Sequence, residues 1–229
     1  MTVNHDDLWS FEGKNVPIHW HNDLEINLIR EGEAVFQVYQ KSYRVRTGEG
    51  FLLNRNVPHS CSSPGNEHVR YSTILVRPDF LYGDFGSDVE RKCFQPFLQN
   101  SAIPCIHLTG FDENGKEILW KLNQVEEAFD RKRFCYELKI KGLLCEAFAM
   151  ILYGHRQELT KFVPANLQEL ERLEKMLNYL NMHFTEVISL QDLADQVHLS
   201  REVCCRLFKK MTGKTITGYL EEYRVNKSF

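Results

Sequence analysis

Hydrophobic and polar positions change their period twice along this chain. Between residues 16 and 78 the apolar residues come in short β-rich runs, at 24–29, 34–39, 43–46, 51–53 and 71–76. Turn formers separate these runs at 30–33, 40–42 and 48–50. That is the spacing of an antiparallel barrel or sandwich, and it predicts a small jelly roll. Residues 78–99 carry no clear period and read as irregular, before a last strand at 102–108. The period then becomes helical. Ile118, Leu122, Val125 and Phe129 step by four and three along a helix at 112–130, the seam of a helix pair. A second helix at 133–155 is apolar on more than one side across 143–153, so it has to be covered from two directions. Gly142 within it costs about 1 kcal/mol in helix propensity and reads as a close helix approach or a kink.

Residues 160–166, with Pro164, form the clearest linker. Leu167, Leu170, Leu173, Leu177 and Leu180 define the helix that follows. Two shorter helices come next. Ser189 can cap the first, with Asp192 three residues on, and Leu190, Leu193, Ala194 and Val197 form its apolar face. His198 falls in the turn, a place that tends to need positive φ and that histidine tolerates. Ser200 caps the second helix, whose apolar side is Val203 or Cys204 with Leu207 and Phe208, and Thr212-Gly213 ends it. Arg201, Glu202, Cys205 and Arg206 share its outward face.

The pattern Leu190-x-x-Leu193-Ala194, Leu199-Ser200, Arg206-Leu207-Phe208-Lys209-Lys210, Thr212-Gly213, Tyr219-Leu220 and Tyr223-Arg224 resembles the AraC-type family of bacterial transcription regulators. The resemblance implies that the second helix of this helix-turn-helix enters the DNA major groove and that Glu202, Cys205 and Arg206 read bases. Arginine can pair with guanine and glutamate can accept from cytosine, whereas cysteine offers apolar contact to a thymine methyl. Ser200, Arg201, Lys209 and Lys210 complete the DNA-binding set, the basic residues as phosphate contacts, with Lys214 beyond them. Thr215-Ile216 stands where the family commonly has Ser-Pro, which predicts a less rigidly set helix start. The family's DNA-binding unit holds two such motifs on a long joining helix. Here that helix begins near Thr215 and the chain stops at Phe229. The expectation is a partial DNA-binding domain of reduced affinity, in a chain either cut or naturally shortened.

Composition adds limits. With 229 residues, 43% of them hydrophobic, the chain can bury an ordinary core, divided over two domains. Its net charge of −3 conceals a local basic excess: from 198 to 214 Arg201, Arg206, Lys209, Lys210 and Lys214 face only Glu202. The seven cysteines show no Cys-x-x-Cys pairing, so neither a disulfide framework nor a thiolate zinc site is suggested. No apolar run is long enough to span a bilayer and residues 1–10 are no signal peptide, so a soluble cytoplasmic protein is expected.

The candidate chemistry of the β-rich half lies in its histidines. Gly13-x5-His19-x-His21-x3-Glu25-x6-Gly32 resembles the first motif of the cupin superfamily. Gly48-Glu49-Gly50 through Pro58-His59 resembles the second, departing from it at Asn54, Asn56 and Ser63. Strand alternation would project His19 and His21 together, with Glu25, Asn27 and Ile29 continuing the inward row and Trp20 facing away. Likeness to metal-binding cupins implies that His19, His21, Glu25 and His59 hold one divalent metal, zinc, nickel, iron or manganese. The alternative left open is a polar pocket for a sugar or another small polar effector, with Asn27 and Trp9 also lining it. Trp9 and Phe11 would then form an arm over the pocket. His5, His68, His107, His155, His183 and His198 read as structural or surface residues.

These signals assemble into a mixed fold: an N-terminal cupin, a jelly-roll β-barrel, with two flanking helices, plus an incomplete all-α helix-turn-helix domain. The expected divisions are a sensing barrel at 1–110, a dimerising helical pair at 111–160, a linker at 161–166 and the partial DNA-binding domain at 167–229. The function expected is that of a homodimeric DNA-binding regulator, not an enzyme, answering to a small-molecule effector such as a carbohydrate and acting on promoter DNA. The alternatives are a metal-dependent cupin enzyme, and a naturally shortened inhibitor that dimerises with a full-length regulator.

Overall fold

Two antiparallel sheets form the N-terminal half of the computed structural model, which describes residues 1–164 and 166–227. The strands are β1 (Thr2–Asp7), β2 (Asn15–His19), β3 (Leu24–Glu31), β4 (Glu33–Val38), β5 (Lys41–Arg46), β6 (Gly50–Leu53), β7 (His59–Ser62), β8 (Arg70–Val76) and β9 (Cys105–Leu108). One sheet runs β1-β8-β3-β6-β9 and the other β2-β7-β4-β5. The central strand β3 is buried on both faces, which explains its nearly continuous apolar reading. Leu24, Ile26 and Leu28 join Leu52, Ile74 and Val76 beneath the helices. Ile29 turns into the barrel with Phe36, Phe51 and Leu53, where the Phe36 and Phe51 rings stack at 4.7 Å.

Three of these strands escaped the hydrophobic pattern. β1 and β7 are rich in polar residues and β2 is interrupted by Pro17, so their place in the sheets shows only in their pairing, β1 with β8, β2 with β7 and β7 with β4. The last strand is also shorter than expected, beginning at Cys105, because 101–104 turn past the sheet edge. Residues 78–99 are not irregular. They contain α1 (Pro78–Tyr82), a π-helical turn (Glu90–Phe94) and α2 (Gln95–Leu98), which bury Leu81, Phe94, Phe97 and Leu98 in the core between sheet and helices. Helices this short show no period to read.

α3 (Glu113–Arg131) lays Ile118, Leu119, Leu122 and Val125 on the sheet, and α4 (Tyr136–Gly154) packs beside it through Leu144, Ala147, Phe148 and Ile151. The second cover for α4 comes in part from within the chain, where Phe148 meets Phe94. Trp120, Leu138 and Tyr153 stay exposed at 57%, 71% and 70%. Gly142 marks neither close approach nor kink: α4 runs unbroken and a Cβ there would meet nothing within 4 Å.

After α5 (Arg156–Leu159) the chain crosses the linker, part of which is tied to the barrel half. Ser101 N donates to Val163 O at 2.7 Å and Val163 N to Asn100 Oδ1 at 3.1 Å. Ala165 of that linker, and Phe229 where the sequence reading ended, lie outside the described residues. Then come α6 (Leu167–Met182), α7 (Leu190–Gln196), α8 (Arg201–Thr212) and α9 (Ile216–Asn226). Their common core holds Leu173, Met176, Leu180, Leu193, Ala194, Cys204, Leu207 and Phe208. Leu167 and Leu190, expected in that core, are exposed.

Local signals set the ends of these helices. Ser189 Oγ accepts from Asp192 N, Ser200 Oγ from Val203 N, His198 takes φ 53°, and Gly213 closes α8 at φ 74°. Thr215 Oγ1 accepts from Gly218 N at 3.1 Å, so α9 starts from a well-made cap. The looser boundary expected at Thr215-Ile216 is therefore not found. Among the described residues no helix is long and apolar enough to cross a membrane.

Candidate functional site

The four residues of the candidate metal set come from three strands and a connection. A bulge between Val16 and His19 re-phases β2, so that His19 lies opposite His59 on β7. His21 sits in the connection to β3, its carbonyl accepting from Asn56 N at 2.8 Å. Glu25 enters from β3, in the other sheet. A single inward row running from His19 through Ile29, expected from alternation, is thus not what gathers them. Two sheets and a reversal of the chain do so.

Each imidazole is held by its Nδ1. His19 donates to Pro17 O at 3.0 Å, His21 to Asp23 O at 3.0 Å and His59 to Val57 O at 2.8 Å. Such backbone anchors fix the tautomer and leave Nε2 as the available ligand atom. His21 Nε2 donates to Glu25 Oε2 at 2.7 Å, and His59 Nε2 is 3.3 Å from the same oxygen. Among the described residues His59 Nε2 is also buried without a hydrogen-bond partner, an arrangement that costs free energy unless something fills it. One ligand atom from each of the four residues lies within 4.8 Å of the others.

The electrostatics separate His19 from His21. Burial holds His19 down to about 4, so it is a neutral imidazole. Burial opposes charge on His21 too, but the hydrogen bond and charge of Glu25 outweigh it and raise its pKa. Burial disfavours the Glu25 carboxylate, yet its contacts with His21, His59 and Asn27 hold it well below the ordinary range. As arranged here, an imidazolium at His21 is paired with an ionised Glu25. Three imidazoles and one carboxylate are the donors that zinc, nickel, iron and manganese accept, and ligation would expel the His21 Nε2 proton. The residues present therefore fit a divalent metal.

Asn27 and Trp9 part company. Asn27 is fully buried and donates its amide to Glu25 Oε1 at 2.7 Å, with its own carbonyl 3.1 Å from Thr73 Oγ1. It orients the carboxylate rather than lining an open pocket. Trp9 is placed elsewhere, half exposed, its indole N–H on Glu67 O at 3.1 Å, its ring edge-on to His68 and beneath Lys14 Nζ. The structure does not bring it to the four ligands.

A cavity of about 460 Å³ opens outside the barrel, where the loop 54–57 meets Val163, Pro164, Glu169, Leu170, Lys210 and Met211. Sequence reasoning placed the effector space at the histidines and missed this cleft, because its walls are far apart in the chain. On α8, Ser200, Arg201, Glu202, Arg206, Lys209 and Lys210 are exposed and Cys205 is half-buried.

Residues 8–104 match the family model of the AraC-like ligand binding domain. The chain is 28% identical, over 93% of its length and 72% of the relative's, to the uncharacterized HTH-type transcriptional regulator YdeC of Bacillus subtilis. It is 23% identical to the HTH-type transcriptional activator RhaR of Escherichia coli, over 90% of this chain and 70% of that one. What residues 8–104 resemble is thus an AraC-like ligand binding domain, and both relatives are HTH-type transcriptional regulators. Two solved structures show a distant likeness. Apo ToxT from Vibrio cholerae is 14% identical with a TM-score of 0.45 over 96% of each chain. The AraC-like transcriptional activator CuxR is 13% identical with a TM-score of 0.37, over 91% of this chain and 68% of that one.

On α8 and just beyond it the cations are not equivalent. Lys210 Nζ is held by both oxygens of Glu169, at 2.8 and 2.6 Å. Lys214 is paired with Glu222. Arg201, Arg206 and Lys209 take part in no ion pair among the described residues. Those three carry their charge into solvent, as a phosphate or guanine contact requires.

Proposed function

We propose that this regulator binds one divalent transition-metal ion through Nε2 of His19, His21 and His59 and the Glu25 carboxylate, and reads promoter DNA with α8. The single observation that carries the metal reading is the buried, unpartnered Nε2 of His59 facing Glu25. A polar pocket for a sugar would leave that nitrogen reachable from solvent, whereas a ligated metal satisfies it directly. A bound metal would supply positive charge between the two sheets and a coordination position for an oxygen-bearing effector. This chain's residues hold it: three backbone carbonyls aim the rings and Asn27 aims the carboxylate.

On DNA, Arg206 is the guanine reader, with Glu202 and Cys205 beside it, while Ser200, Arg201 and Lys209 meet the backbone. Lys210 joins them only by leaving Glu169. The exposed Trp120, Leu138 and Tyr153 on α3 and α4 support a homodimer through this helical pair. The divisions 1–110, 111–160, 161–166 and 167–229 correspond to sensing, pairing, linking and reading. The ligand set serves sensing and not turnover, so the protein is no enzyme.

The test is metal content per chain, in protein purified without a histidine tag, beside the His19→Ala variant. Near-stoichiometric metal that the variant loses is the expected result. No metal in either protein would reject the metal reading and leave an organic effector.

A further inference from the structure

His19 and His21 alternate along the chain with Ile18 and Trp20, and the two pairs face different bodies. The histidines reach the four-residue centre. Ile18 and Trp20 pack instead against the apolar cluster of the reading unit, which contains Leu207, Phe208, Met211 and Tyr219. The bulge in β2 makes this possible. Val16 packs inside the barrel, and the extra residue before His19 turns Ile18 outward while keeping His19 inward.

The neighbouring strands repeat the arrangement. His59 pairs with Val38 at the end of β4, and the next two residues also meet the reading unit. Tyr39 packs on its cluster, and Gln40 Nε2 donates to Lys209 O at 3.4 Å. Gly213, at the end of α8, approaches so closely that a Cβ there would lie 2.6 Å from Tyr39 O. Pro17 and Ile18 share a crevice with Lys214, Tyr219 and Tyr223. One strand's thickness therefore separates the histidines from the end of the reading helix and the start of α9.

We infer that residues 17–21 are the strap through which occupation of the histidine centre is felt by the reading helix. Ligation of His19 and His21 fixes this segment against Glu25 and His59, and Ile18 and Trp20 carry that restraint across to residues 209–219. Both side chains are half-buried, so their packing can change without opening a core. Coupling of this kind is reciprocal: a reading unit seated on Ile18 and Trp20 raises the affinity of the centre by the same factor. The inference rests on the reading of the four residues as a metal centre.

The experiment is amide hydrogen exchange on the whole chain with and without one equivalent of zinc, alongside zinc stoichiometry by equilibrium dialysis. In the wild type, zinc binds one per chain and slows exchange at 209–219 by roughly fivefold or more, the low end of couplings between sites. Ile18→Ala and Trp20→Ala keep one zinc per chain and lose the slowing, while the milder Trp20→Phe, which keeps a ring, retains part of it and guards against a misfolded alanine variant. Zinc bound without any change at 209–219, or slowing that persists undiminished in Ile18→Ala and Trp20→Ala, overturns the strap and leaves the metal centre standing. No zinc in the wild type overturns the centre itself, and the strap with it.

Discussion

Asn27 sets the direction in which Glu25 presents its charge. The Asn27 amide sits 2.7 Å from Glu25 Oε1, while Oε2, the other oxygen, is the one that faces His21 and His59. Buried side chains that aim a ligand are commonly worth 10- to 100-fold in metal affinity. Asn27→Leu is therefore expected to weaken zinc binding by roughly that factor with the four ligands intact. Calorimetric titration of the variant checks this, and an unchanged affinity would mean that the carboxylate needs no such support.

Metal removal should register as lost stability. A ligand that binds only the folded state, present at 100 times its Kd, stabilises by about 2.7 kcal/mol. For a chain of this size that corresponds to a rise in Tm of roughly 5–10 °C. Thermal melts in zinc and in chelator should differ by that amount for the wild type and coincide for His19→Ala. Coincident wild-type curves count against the centre.

Gly213 answers two demands at once, positive φ and close approach to Tyr39 O. Gly48 shares the positive φ, but a Cβ there would meet nothing within 4 Å. Gly48→Ala should cost about 1–2 kcal/mol for the left-handed backbone alone. Gly213→Ala should cost more, because the contact between barrel and reading unit must also open. Urea denaturation of the two variants compares them; equal costs would show that the contact contributes nothing.

Arg206 and Lys209 are both exposed and take part in no ion pair among the described residues, yet the proposed roles predict different losses. Arg206→Ala should cost about 1–3 kcal/mol on its own operator and relax the preference at one base pair. Lys209→Ala should weaken binding to all sequences alike and lower the salt slope by about one. Gel-shift titrations over a range of salt, against operator and scrambled DNA, separate them. A uniform loss from Arg206→Ala would make it a phosphate contact.

The reach of sequence reasoning follows the range of the interactions involved. The helix-turn-helix was legible because its signals are local: Ser189 and Ser200 bond amides three residues on, and His198 and Gly213 take the backbone angles their turns demand. The residues of the histidine centre were legible as a motif, but their gathering was misread. Alternation along one strand suggested a single row, whereas His19 and Glu25 stand in different sheets and meet because the chain reverses between them. Residues 78–99 read as irregular because helices of four and five residues bury a side chain or two each and leave no period.

The order of residues by itself determined the caps, the turn histidine and the alternating strands, since each depends on neighbours within a few positions, while the four candidate ligands were named by the likeness of two motifs to the cupins. Only the tertiary structure decided where their partners lie. It placed Glu169 on Lys210, took Trp9 away from the centre, gave Asn27 to Glu25, and set Ile18 and Trp20 against a cluster nearly 200 residues further along the chain. Those pairings come from chain reversals and the closing of two sheets, and no local period records which distant surface a side chain will meet.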